Sequence, residues 1–227
     1  MLETRKRFHD EMAALESLIL RMGEEAERAV ARGTQALVRK DATLARAVVA
    51  EDDAIDAIYV EVEERILALL ATQTPVASDL RLVFAILHTS VHLERIGDQA
   101  VNLAKMSLAT MELPASPIMV SHLEEMGDLA CVMLRTAMEA FARRDRELAM
   151  GLQAMDEPVD RLNRNMYREA VDLAADPQAL EWGVRMNVAS RHLERVADNA
   201  VDIGEQVAFL LTGEFTEFSD ASHPSPA

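Results

Sequence analysis

Eight carboxylates recur in one pattern along the chain: Asp52-x-x-x-Asp56, Glu94-x-x-x-Asp98, Asp156-x-x-x-Asp160 and Glu194-x-x-x-Asp198. On a helix, each pair stands one turn apart on a single face, about 6 Å apart along the axis. Taken alone, such a pair marks an ordinary solvated helix face. Four acids at one height repel one another and disfavour folding unless protons or a cation neutralise them. All-oxygen carboxylate sets suit Mg, Mn, Ca or Fe, and also Zn. The chemistry to expect is therefore cation binding, with four acids on two helices able to bridge more than one ion. Asn102 and Asp202 lie one turn further along and supply a second tier of oxygen donors.

The elements that must position these acids follow from an internal repeat. MGEEAERAV from Met22 aligns with MGDLACVML from Met126, an offset of 104 residues. The same offset carries Arg39-Lys40-Asp41 onto Arg143-Arg144-Asp145, Asp52 onto Asp156, and Asp56 onto Asp160. HLERIGDQAVNL from His92 aligns with HLERVADNAVDI from His192 at an offset of 100, so the second copy is four residues shorter in its hairpin. Each copy reads as three helices: Thr4–Lys40, Ala42–Thr72 and Ser78–Thr110, then Pro117–Arg144, Asp145–Ala174 and Pro177–Leu211. The fold class is all-α, two tandem three-helix bundles with six long helices. Residues 1–113 form the first repeat and 114–211 the second. A Ser- and Pro-rich tail, 212–227, is expected to be disordered.

Hairpin register makes the acids more informative. In an antiparallel pair, residues equidistant from the loop lie level. Asp52 with Asp98, and Asp56 with Glu94, both centre on Pro75, while Asp156 with Asp198, and Asp160 with Glu194, both centre on Pro177. Each hairpin should thus bring four carboxylates to one height. Leu82, Ile86, Thr89, Leu93, Ile96, Ala100 and Leu103 keep a 4-3-4 seam, repeated by Trp182, Met186, Ala189, Leu193, Val196, Ala200 and Ile203. Leu44, Val48, Glu51, Ile55, Ile58, Val62 and Ile66 keep it less cleanly. The acids fall off these seams, which places them at a groove or surface, because burying four bare carboxylates is prohibitive.

Composition narrows the function classes. With 39 acids, 23 bases and a net charge of −16, the chain lacks the clustered cations that nucleic-acid backbones or anionic lipid require. Half of the residues are hydrophobic, only 4% are aromatic, and Gly and Pro are few, which favours long helices over a β-rich fold. No signal peptide and no membrane span are visible, so a cytoplasmic location is expected. The single cysteine, Cys131, sits on an apolar stripe and reads as a small core residue. His92 and His192, two residues before the glutamates, face another direction. Arg39-Lys40-Asp41 and Arg143-Arg144-Asp145 read as helix ends, where cations meet the negative pole of the dipole.

LERIGDQAVNLAK (Leu93–Lys105) and LERVADNAVDIGE (Leu193–Glu205) resemble the paired signature of the PhoU family, regulators of phosphate uptake. The likeness spans about Thr4 to Leu211. It implies two three-helix bundles holding multinuclear metal clusters (Fe, Zn, Mn or Mg) through Asp52, Asp56, Glu94, Asp98, Asp156, Asp160, Glu194 and Asp198. It further implies a cytoplasmic homodimer and negative regulator of the phosphate-starvation response. Its partners would be a sensor histidine kinase and the ATPase of a phosphate ABC transporter. Two positions depart between the copies: Ala197 stands where the first has Gly97, and Asp202 where it has Asn102.

Two other readings remain. One is a helical adaptor whose acidic grooves hold no metal. The other is a carboxylate-bridged di-metal enzyme, which is disfavoured because such bundles use Glu-x-x-His pairs and no histidine here has a Glu three positions before it. No nucleophile–base arrangement is visible, so the expectation is a non-enzyme.

Overall fold

The computed structural model describes residues 2–215, 217 and 218, with side chains from residue 6. The described residues form α1 (Leu2–Arg39), α2 (Ala42–Glu51), α3 (Asp53–Thr72), α4 (Ser78–Ala109), α5 (Pro117–Arg143), α6 (Arg146–Asp172) and α7 (Pro177–Thr212). The first repeat is α1 to α4 and the second α5 to α7. Among the described residues there is no strand, and no helix is long and apolar enough to cross a membrane.

Matching residues end and restart helices in the two repeats. Lys40 and Arg144 both take the left-handed conformation, with φ of 52° and 55°, and terminate α1 and α5. Their side chains then tie these ends to neighbouring groups. Lys40 donates to the carbonyls of Met111 and Leu113, and Arg144 donates to the Phe141 carbonyl and to Glu16. The next residue then caps the following helix. Asp41 accepts from the Thr43 and Leu44 amides, and Asp145 from those of Glu147 and Leu148.

The expected single helix over Ala42–Thr72 is interrupted at Asp52, where α2 gives way to α3. Glu51-Asp52-Asp53 puts three like charges in succession, and Asp is a poor helix former. The Asp52 carbonyl accepts from Ile55 at 3.0 Å and from Asp56 at 3.4 Å, so the turn tightens toward 3₁₀ geometry. The matching α6 is unbroken, although Pro158 inside it cannot donate to the carbonyl one turn back. Pro177 is the first residue of α7 rather than the middle of a loop. A proline suits that position because its missing N–H would go unused there.

One apolar core runs through both repeats. It joins Leu15, Ile19 and Met22 of α1 to Met126 and Met133 of α5, and Leu93 and Ile96 of α4 to Leu193 and Val196 of α7. Both expected seams on α4 and α7 are buried apart from Leu82, which is partly buried. On α2 the seam position Glu51 is exposed instead and pairs with Arg32. Like elements of the two repeats pack antiparallel. Gly23 of α1 faces Met138 of α5 while Gly127 of α5 faces Thr34 of α1. His92 of α4 meets Asn199 of α7 at 3.0 Å, and His192 of α7 meets Gln99 of α4 at 2.7 Å. The repeats are therefore related by a pseudo-twofold axis.

The tail expected to be disordered from Thr212 lies mostly outside the described residues. Its described part turns back on the bundle: Gly213 closes α7 at a φ of 77°, Phe215 stacks on Phe209 at 4.1 Å, and the Phe218 amide donates to Glu205 at 2.6 Å.

Candidate functional site

The hairpin of α3 and α4 carries Asp52 at its broken turn, Asp56, Glu94 and Asp98. Asp52 and Glu94 are half-buried, and Asp56 and Asp98 are exposed. The four lie within electrostatic reach of one another, and the carboxyls of Asp52 and Glu94 are pushed up as a result of burial and of that proximity. Asp52 is raised by partial burial first, then by Asp56 and Asp98, with Lys105 opposing. Glu94 is raised by burial first, then by Asp98, Asp56 and Asp52, with Arg95 opposing. Asn102, partly buried, follows on α4.

The hairpin of α6 and α7 is more enclosed. A groove of about 580 Å³ runs between the helices and is lined by Asp156, Asp160, Asn163, Glu194, Asp198 and Asp202, with further polar residues around them. Asp198 opens onto this groove. Desolvation by the protein around it, then Asp156, Glu194, Asp160 and Asp202, push its carboxyl up to about 7. Asp202 is raised by burial, against the lowering effect of His92 and Arg95. Its carboxylate lies 3.3 Å from His92 Nδ1, so a residue of the second groove touches the first repeat. At the rim Arg164 lies 3.4 Å from Asp160, and Arg191 lies 3.7 Å from Glu194.

Each hairpin therefore brings its four expected acids within electrostatic reach of one another, at a groove or surface. As the side chains stand, no three His, Cys, Asp or Glu among the described residues converge into a ligand set. The donor chemistry nonetheless suits hard cations. The sets are all oxygen, four carboxylates each, and burial first, then the neighbouring carboxylates, push up the carboxyls of Asp52, Glu94 and Asp198, a cost that a positive charge relieves.

The Gly97 and Ala197 difference is compensated across the hairpin. A Cβ on Gly97 would lie 3.0 Å from Ile55 Cδ1. In the second repeat the residue matching Ile55 is Val159, shorter by one carbon, which leaves room for Ala197. The histidines make contacts other than to the eight quartet acids: the His88 ring lies tilted against Phe84 at 4.1 Å, His122 pairs with Glu169 at 2.9 Å, and His92 and His192 bridge α4 and α7. Cys131 is buried, and that burial pushes its thiol up to about 12, leaving it inert.

Sequence reasoning missed Asn163 and Ser190. Asn163 on α6 donates to Glu194 Oε1 at 2.8 Å, and the Ser190 hydroxyl donates to Asn163 Oδ1 at 2.8 Å. The signal was available, because Asn163 and Ser190 are level in the same hairpin register as Asp160 and Glu194 to within one residue. Only the acids were carried through that register.

The PhoU domain family model matches residues 19–107 and 123–207, one match for each repeat. The chain belongs to the PhoU family. It is 35% identical over 212 residues to the phosphate-specific transport system accessory protein PhoU homolog of Caulobacter vibrioides, covering 93% of this chain and 92% of that one. The crystal structure of PhoU from Pseudomonas aeruginosa superposes with a TM-score of 0.87 at 34% identity, covering 91% of this chain and all of the other (100%). The phosphate transport system regulatory protein PhoU from Streptococcus pneumoniae superposes with a TM-score of 0.82 at 29% identity, over 92% and 99% of the two chains. The two tandem three-helix repeats of this chain are thus the architecture of its family.

Proposed function

We propose that this protein is a metal-binding accessory regulator of phosphate uptake and of the phosphate-starvation response. It acts as a negative regulator in the cytoplasm and catalyses no reaction. The regulatory part rests on family membership across nearly the whole chain and on relatives whose names tie them to phosphate-specific transport. Its partners are the sensor histidine kinase of that response and the ATPase of a phosphate ABC transporter, and it works as a homodimer. The acidic surface suits partners that present basic patches, since complementary charge speeds and selects encounter.

One observation carries the metal part: in each hairpin four carboxylates sit within electrostatic reach of one another, so that Asp52, Glu94 and Asp198, already pushed up by burial, are pushed further by their neighbours' charges. Asp52, Asp56, Glu94 and Asp98 would hold one set of ions, and Asp156, Asp160, Glu194 and Asp198 the other, with Asn102 and Asp202 behind them. A bound cation supplies charge neutralisation. The competing reading, an adaptor that holds no metal, draws on the lack of a converged ligand set.

Elemental analysis of protein purified without chelator separates the two, with bound Fe, Zn, Mn or Mg expected. The double variant Asp52→Ala with Glu94→Ala should lose metal from the first repeat and lose part of the thermal stabilisation given by added ion. Unchanged metal content in that variant rejects the site. For the regulatory role, deletion of the gene should raise expression of phosphate-uptake genes in phosphate-rich medium. An unaltered response in a strain without a second copy rejects it.

A further inference from the structure

The two quartets occupy matching places in the repeats, yet among the described residues only the second has its glutamate held by a hydrogen-bonded support. Glu194 Oε1 accepts from Asn163 Nδ2 at 2.8 Å. A carboxylate only accepts, so the amide of Asn163 must turn its NH₂ toward Glu194 and its oxygen toward Ser190. The Ser190 hydroxyl, 2.8 Å from that oxygen, is then obliged to donate to it, with the Asn187 carbonyl 2.9 Å away as a second acceptor. Ser190 is fully buried and Asn163 is 9% exposed, so water does not compete for the bond between them. The chain of donors runs one way, from Ser190 through Asn163 to Glu194. It fixes Oε1 of the carboxylate, while Oε2 lies 3.7 Å from the exposed Arg191 guanidinium at the rim of the groove.

The first repeat breaks this chain at one position. Ser90 matches Ser190, and Glu94 matches Glu194, but Tyr59 stands where the second repeat has Asn163. The Tyr59 hydroxyl turns along its own helix and donates to Glu63 at 2.7 Å. The Ser90 hydroxyl falls back on the Leu87 carbonyl at 2.7 Å. Glu94 lacks that neutral donor, although its charge reaches Tyr59, whose hydroxyl is pushed up by the Glu63 hydrogen bond and burial first and by Glu94 last. A carboxylate already held in place loses less rotamer freedom on meeting a cation, and neighbours that orient a ligand tune a metal site strongly.

We propose that the two acidic sites are unequal. Asn163, locked by Ser190, is a positioning residue that makes the second repeat the tighter cation site, and Tyr59 leaves the first repeat the weaker one. This rests on the metal-binding reading above. It adds an order of filling: at limiting cation the second repeat loads first, and the first repeat responds only at higher concentration.

The test is titration of the metal-free full-length protein with Mn²⁺, read by the electron paramagnetic resonance signal of free ion and by calorimetry. Two classes of site are expected, at least tenfold apart in affinity. Glu194→Gln should remove the tight class. Asn163→Leu should weaken it about tenfold, the range over which groups orienting a metal ligand act, and leave the weak class unchanged. Because loss of a buried amide can also damage folding, Tyr59→Asn supplies the converse. Placed between Ser90 and Glu94, it should tighten the weak class toward the strong one, a gain that damage cannot produce. If wild-type protein binds no Mn²⁺ at either hairpin, the metal reading itself fails and this inference with it. A single class in the wild type overturns the inequality and leaves metal binding intact. So does a tight class indifferent to Asn163→Leu together with a weak class indifferent to Tyr59→Asn.

Discussion

His192 Nδ1 lies 2.7 Å from Gln99 Oε1, joining α7 of the second repeat to α4 of the first. Its counterpart across the pseudo-twofold joins His92 to Asn199 at 3.0 Å. The acceptor is an amide oxygen, so His192 must carry its proton on Nδ1. Burial, and then Arg195, hold its pKa below the usual histidine value, which favours the neutral ring. Gln99→Leu leaves that half-buried N–H without its acceptor. A loss of about 1–2 kcal/mol is expected, seen as an earlier midpoint in urea with an unchanged slope. A midpoint unmoved by the substitution would show that the bridge contributes nothing to the contact between α4 and α7.

The pairs Gly97 with Ile55 and Ala197 with Val159 predict a coupling. Gly97→Ala alone sets a new methyl 3.0 Å from Ile55 Cδ1 and forces that side chain to shift. Ile55→Val alone removes one buried carbon and costs about 1 kcal/mol. Together they reproduce the second repeat's combination, so the double variant should be more stable than the sum of the two changes by about 1 kcal/mol. A double-mutant cycle measured by chemical denaturation gives that number directly. Strict additivity would refute the compensation.

Two other glycines separate flexible from stiff neighbours where α1 crosses α5. A Cβ on Gly127 would lie 2.4 Å from Thr34 Cγ2, whereas one on Gly23 would meet the Met138 side chain at 2.8 Å. Threonine is branched and cannot withdraw, while methionine has three rotatable bonds. Gly127→Ala should therefore cost about 1–3 kcal/mol by overpacking. Gly23→Ala should be near neutral, because the gain of about 1 kcal/mol in helix propensity offsets the shift of Met138. Thermal unfolding of the two variants side by side checks the order.

The raised carboxyls set the pH response of metal-free protein. Asp198, near 7 folded and in the ordinary Asp range unfolded, binds more protons in the folded state between those values. Its contribution is fully present below about pH 4 and is lost as pH rises through about 7. In chelator, Asp198→Asn should thus raise the melting temperature at pH 8 by up to about 3 °C and change it little at pH 5. Because Asp198 lines an open groove, salt should shrink the gain. His88 and His192, both lowered chiefly by burial, oppose this trend. Their contributions are present above the unfolded histidine value and fade as pH falls below it. A variant no more stable than wild type at pH 8 would deny Asp198 its repulsive surroundings.

Local pattern was enough to read the helices, the repeat and the gathering of the acids. The 3.6-residue period, the caps at Asp41 and Asp145 and the Pro177 start depend on neighbours within a turn, and those are written in the chain itself. Hairpin register placed Asp52 level with Asp98, and Asp156 with Asp198, because counting from a loop needs no distant partner. The turn at Asp52 was less legible, since the surrounding seam alone argues for continuity through it.

Tertiary structure decided what lies across the pseudo-twofold and how each acid is held. No count along the chain pairs His192 with Gln99 or Asp202 with His92, because those contacts depend on how two whole repeats settle against each other. Nor does sequence alone say that Asn163 turns to Glu194 while Tyr59 turns away to Glu63. Periodicity reports which face of a helix is apolar. The direction of a polar side chain is chosen by the donors and acceptors that packing brings within about 3 Å of it.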